Sequence, residues 1–187
     1  ITDPLLCETP EISFETGEAL ILKEKAQSLG SVVNIYEYLR NNARYTPYHG
    51  ARSNSLNTFL SLEGNDVDLA STLIALYRSV GVKSRYAVGN VRVKRADIAN
   101  WISVENEALA VSILQNQGIN IVDNTDPEYV VFEHVWVEAL VNFSNYRGGS
   151  NTIQSCIEVN DQCKWISLDP SFKLYDYQST HRGLLKD

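Results

Sequence analysis

The 187-residue sequence has no methionine and only three cysteines, three histidines, three tryptophans and five prolines. These scarcities exclude several classes of protein. Cys7, Cys156 and Cys163 form neither a CxxC redox pair nor the Cys/His spacing of a zinc site. No apolar run approaches the roughly 20 residues of a membrane-spanning helix, so direct membrane insertion is not expected. Positive charge is short as well, with 16 Lys+Arg against 23 Asp+Glu for a net charge of −7. The densest basic group is Arg92, Lys94 and Arg95, too little to support a nucleic-acid groove. The chain opens on ITDPLL, without the charged and apolar regions of a signal peptide, and is expected to be a processed or excised piece of something longer.

What remains is a globular composition, 44% hydrophobic and 10% aromatic, at a length that suits one domain over residues 1 to 187. Cys156 and Cys163 flank IEVNDQ, where a hairpin loop from Glu158 to Asp161 would set the two cysteines opposite each other. That spacing fits a cross-strand disulfide, which implies an oxidising compartment, and equally two unpaired small apolar side chains beside a turn.

Residues 1 to 16 hold two prolines and read as irregular. Apolar spacing predicts a helix over 18–29 stopped by Gly30, and a second over 32–42 capped by Ser31. RYTPYHGARSNS breaks the pattern at Pro47 and Gly50. GNDVDLASTLIALYRSVG, Gly64 to Gly81, is apolar on two sides and is predicted as an interior helix, capped by Asn65 or Asp66 and closed by Gly81. A strand over 84–93, a helix within 106–118 and strands over 130–141 and up to Asp169 follow, with Pro170 as terminator. NYRGGSNT reads as a loop, and the polar tail from Ser171 as the way into a neighbouring domain. The expected class is α+β, with N-terminal helices packed on an antiparallel sheet of about four to six strands.

In VVFEHVWVEALV, strand alternation puts His134, Trp136 and Glu138 on one face and Val135, Val137 and Ala139 on the other. In CKWISLDPS, Trp165, Ser167 and Asp169 share a face. A helix with a polar mouth, then a strand histidine, then an aspartate at a strand end is the chain order of a nucleophile, a base and an orienting carboxylate.

These segments resemble the transglutaminase-like superfamily, related to papain-like cysteine proteases, whose core pattern is GxCxDxA on a leucine-rich helix, then HAWVEV, then WVPLDPS. Here they read GNDVDLA, EHVWVEALV and WISLDPSF, and the match runs from about Ser31 to Lys173. YLRNNARYTPYHG, the GND helix, the Asn100-Trp101 pair and HVWVEA are most similar to the branch found in bacterial YD-repeat (Rhs-type) proteins, which implies a secreted or cell-envelope setting. The family chemistry uses a thiolate at a helix N-terminus, whose dipole lowers its pKa, and a strand histidine that takes its proton. Carried over, His134 matches the base and Asp169 the orienter, but Asp66 stands where the family has its cysteine.

That departure decides the expected activity. Aspartate attack on an amide would yield a mixed anhydride, far higher in energy than a thioester, while expelling a poor leaving group. The resemblance then implies a domain without the cysteine nucleophile, a binding or structural module with a protein or peptide partner and no cofactor. Asp66 would cap its helix and pair with protonated His134, and Asp68 would reach backbone donors or Arg85. The alternative is an active hydrolase or acyl/amide transferase using Asp66, His134 and Asp169 in an unusual way. The same three residues could in principle hold a divalent metal, though no further ligand is apparent beside them. His49 and His181 read as solvent-exposed, Tyr45, Tyr48, Trp136 and Trp165 as core or rim aromatics, and Glu133 and Glu138 as strand-edge or solvent-facing groups.

Overall fold

The computed structural model describes residues 17–142, 153 and 156–175. Cys7, His181, the NYRGGSNT loop, the irregular stretch 1–16 and the distal tail lie outside the described residues.

Helices packed around a central one build one side of an α+β fold. Helix α1 (Gly17–Leu29) ends at Gly30, whose φ of 74° is the left-handed stop that glycine accepts. Helix α2 (Val32–Asn42) is capped by Ser31, whose side chain accepts from the Asn34 amide. Both pack on α4 (Asp66–Ser79), whose interior character matches its apolar sequence: Leu69, Ala70, Leu73 and Leu76 are fully buried. Asn65 caps α4, so the expectation that Asp66 could do so is corrected; Asp66 is the first helical residue and its carboxylate is employed elsewhere.

A two-residue parallel bridge leads into that helix. β1 (Arg44–Tyr45) pairs with β2 (Glu63–Gly64), setting Tyr45 opposite Gly64, two residues before Asp66. Between them lies a short helix, α3 (Ser55–Ser61), for which the sequence reading made no assignment.

β3 (Ser84–Lys94) and β5 (Tyr129–Asn142) form a long antiparallel pair, in register from Ser84 opposite Ala139 to Lys94 opposite Tyr129. On the far edge of β5 sit two further strands, β4 (Ile121–Asp123) against Val131 and Phe132, and β6 (Cys163–Leu168) against residues 137 to 142. Among the described residues the sheet therefore has four strands, and between β4 and β6 no strand of theirs pairs with the edge of β5 around Val135.

Alternation along β5 divides the core in two. Val137, Ala139 and Val141 pack with α1, α2 and α4, while Val130 and Phe132 face the opposite way. That second face is covered by α5 (Arg95–Trp101) and α6 (Glu107–Asn116), around Ile98, Trp101, Val111 and Leu114. At the end of the sheet Cys156 and Cys163 form a disulfide with Cα atoms 5.8 Å apart, packed on Leu140 and Trp165. Cys156 lies outside any strand, so the loop is not the ladder-paired hairpin expected; Asn160 shapes it by accepting from the Gln162 and Cys163 amides.

Candidate functional site

The gap in the β5 edge is filled by the mouth of α4. Asp66 Oδ2 accepts the Val135 amide at 2.9 Å, so a side chain supplies the acceptor that a strand would otherwise give. The same oxygen lies 3.2 Å from His134 Nδ1. On the other side of the ring, His134 Nε2 is 2.8 Å from Asp169 Oδ2. Three residues 35 to 103 positions apart are thereby joined through one imidazole that is only 4% exposed.

Asp169 is itself fixed by the turn that follows β6. Its Oδ1 accepts from the Ser171 hydroxyl at 2.7 Å, the Ser171 amide at 2.9 Å and the Phe172 amide at 3.2 Å, which leaves Oδ2 for the histidine. Its backbone carbonyl accepts from Tyr36 of α2. Ser171 is almost fully buried and Phe172 packs on Trp101. The polar tail expected from Ser171 onward is corrected here: its first residues close the site rather than leave the fold.

Electrostatics follow from this geometry. Burial alone would lower the His134 pKa, but hydrogen bonds and charge from Asp169 and then Asp66 outweigh it and raise the value to about 9. Burial pushes Asp169 upward, and the imidazolium with the Ser171 donors more than reverses this, holding it below the ordinary carboxylate value. At neutral pH the cluster is an imidazolium between two carboxylates, with an excess of one negative charge.

The second acid of the helix mouth does different work. Asp68, fully buried, accepts from the Tyr48 hydroxyl at 2.6 Å and from the Arg52 and Ser53 amides. Of the two partners foreseen for it, backbone donors are right and Arg85 is not: Arg85 pairs with Glu138 at 2.8 Å and lies over Trp165. Asn65 adds bonds from its amide nitrogen to the carbonyls of Tyr48 and Gly50. Asn65 and Asp68 thus strap the 48–53 loop across the helix mouth. Burial and then the Asp68 hydrogen bond push the Tyr48 phenol up to about 12.

An aromatic layer lies under the histidine. Trp101 meets His134 edge-on at 5.8 Å, stacks on Tyr45 at 4.0 Å and donates its indole N–H to the Ser171 carbonyl. Phe132 is a second edge contact of the ring. Of the residues read as solvent-exposed or strand-edge, His49 and Glu133 are exposed and Glu138 is half-buried. Of the aromatics read as core or rim, Tyr45 is buried and Tyr48, Trp136 and Trp165 are half-buried. Among the described residues no group of three His, Cys, Asp or Glu is arranged to hold a metal, and no helix is long and apolar enough to cross a membrane.

The sequence profile of the transglutaminase-like superfamily matches residues 17–170, so the chain belongs to that superfamily. Among solved structures, a protein from Cytophaga hutchinsonii provisionally assigned as a cysteine protease is similar at 16% identity and a TM-score of 0.43. The likeness covers 83% of this chain, which spans only 38% of that one. No curated protein matches the sequence.

Proposed function

We propose that this is a transglutaminase-like domain in which Asp66 occupies the seat of the superfamily's nucleophilic cysteine, and that it serves as a catalytically inactive binding or structural module. The observation that carries this reading is the engagement of the Asp66 carboxylate, which holds the Val135 amide and an imidazolium at once. A carboxylate neutralised in this way is a weak nucleophile, and its product with an amide would be a mixed anhydride. His134, protonated at neutral pH by its two acidic neighbours, is an acid there rather than a base.

The parent molecule in this reading is a larger secreted or cell-envelope protein of the YD-repeat type, with a protein or peptide as partner. The Cys156–Cys163 disulfide supports an oxidising setting. The deciding experiment compares the unaltered chain with Asp66→Cys for amine incorporation into a glutamine peptide and for amide hydrolysis. The expected result is no turnover by the unaltered chain and measurable thiol-dependent turnover by Asp66→Cys. Turnover by the unaltered chain that Asp66→Asn abolishes without loss of fold would overturn the reading and favour an Asp66-His134-Asp169 enzyme.

A further inference from the structure

The outer edge of β3 is open. In β5 the Val135 amide donates to Asp66 and the Glu133 amide to the Asn120 carbonyl, both away from β3, while the Leu140 amide donates to the Lys83 carbonyl just before β3. Odd-numbered residues of β5 thus bond outward and even-numbered ones bond to β3. The even-numbered ones stand opposite Arg85, Ala87, Gly89, Val91 and Val93, so Tyr86, Val88, Asn90 and Arg92 turn their amides and carbonyls to the other side of β3. Among the described residues nothing bonds to those groups, and the edge is closed only at its start, where Arg78 donates to the Ser84 carbonyl.

Such an edge invites another strand unless the sequence guards it. β3 has 11 residues, no proline and an unbroken register with β5. Arg92 and Lys94, the cations at its far end, lie over the Tyr129 ring of β5 and reach Asp126 and Glu128, so they are drawn inward rather than held across the edge. Apolar surface borders the edge on both faces. Val88 is 58% exposed on the face that carries α4, and on the other face the Trp136 indole lies on Gly89, where a Cβ would come within 3.0 Å of it.

Charge decides what kind of strand fits. β3 carries Arg85, Arg92 and Lys94 and no acid, and their counter-ions Glu138, Asp126 and Glu128 lie on β5 or in the turn leading into it, on the inner side. An incoming strand therefore meets the cations first. The Arg92 and Lys94 side chains are 55% and 51% exposed, and exposed ion pairs are weak enough to be shared. A second copy of β3 would bring the same cations, whereas an acidic segment complements them. We propose that the outer edge of β3 takes up an extended acidic segment of a partner protein as an added strand, with main-chain bonds to Val88, Asn90 and Arg92, a branched side chain on Val88 and an acid beside Arg92. This gives the proposed binding module a surface separate from the Asp66 cluster, so turnover by the unaltered chain would overturn the reading of function and leave this one standing.

The test is amide exchange of the ¹⁵N-labelled full chain by NMR at pH 7, with the peptide acetyl-Glu-Val-Thr-Val-Thr-Val-Glu-amide and its counterpart carrying lysine at both ends. In the free chain the Val88, Asn90 and Arg92 amides are expected to exchange fast and those of Gly89, Val91 and Val93 slowly. The acidic peptide should slow the first set saturably, and the lysine peptide should bind about fivefold or more weakly. Asn90→Pro removes only an outward N–H and spares the ladder to β5, so it should fold and bind the acidic peptide about tenfold or more weakly. Should that variant fail to fold, the exchange pattern of the unaltered chain still decides. A first set left fast by the acidic peptide, or equal effects of the two peptides, would overturn the proposal. So would a first set already slow without peptide: with a doubled mass the edge belongs to a second copy, and with a single mass it is closed from within.

Discussion

Val135 and Asp66 are joined by a hydrogen bond of 2.9 Å between a strand amide and a helix carboxylate, at the stretch of the β5 edge that lies between β4 and β6. The contact makes Asp66 part of the sheet's hydrogen bonding as well as the partner of His134. Asp66→Ala leaves both a buried amide and a buried imidazolium without this acceptor, at an expected cost of about 3 to 5 kcal/mol. Asp66→Asn keeps an acceptor for Val135 and should cost less. Urea unfolding of the two variants measures this, and a loss under about 0.5 kcal/mol for Asp66→Ala would contradict the assigned role.

His134 should titrate near 9 rather than 6.5. Because the folded value is raised, its contribution to stability is complete below pH 6.5 and is lost as pH rises through about 9. Asp169 works in the opposite sense: its folded value is depressed, so its contribution is present above 3.8 and is lost as pH falls through the lowered value. Stability is therefore expected to be greatest between those limits. Ring-proton NMR of His134 checks the first point, and an unperturbed imidazole would refute it. Asp169→Asn, removing the shorter and better aligned contact, should lower the value more than Asp66→Asn.

Asp68→Asn tests the strap across the helix mouth. The Tyr48 phenol, raised to about 12, should titrate lower in this variant while remaining above 10, because burial is the larger cause of its shift. Ultraviolet titration reads this directly. The Arg52 and Ser53 amides, which donate to Asp68, should exchange with solvent faster as well. Unchanged exchange at both would mean that Asn65 alone holds the loop.

Reduction of Cys156–Cys163 opens a short loop with a sequence separation of 7. Loop-closure entropy puts the expected loss near 2 kcal/mol. The site lies at the other end of β6, so His134 should keep its raised pKa in the reduced protein. Denaturant unfolding with and without reductant, together with the His134 signal, separates a local staple from a support of the site.

The long periodic segments were legible in the sequence because each carries its own signal. The apolar stripes of α1, α2, α4 and α6, the strand-favouring residues of β3 and the alternation of β5 placed them within a residue or two. α3 and α5, with seven residues each, are too short to display a helical period. The meeting of Asp66, His134 and Asp169 followed from motif order, but the way it is built did not. Asn65 rather than Asp66 caps α4, since capping needs a side chain that turns back to its own helix and Asp66 turns to the sheet. Ser171 was hidden behind Pro170, where polar residues look like the start of a linker. Tyr45 lay in a segment dominated by turn formers, and only the bridge to Gly64 and the stack on Trp101 give it a place.

The segment just past the site sets how the polypeptide can be divided. Lys173 reaches back with its ammonium to the carbonyls of Arg40 and Ala43, at the open end of α2. Tyr175 and Asn100 exchange two hydrogen bonds, backbone to side chain in both directions. Excising the domain at residue 170, where the superfamily profile stops, would strip the last turn of α2 of its positive neighbour and unhook α5. A workable expression boundary lies beyond Tyr175.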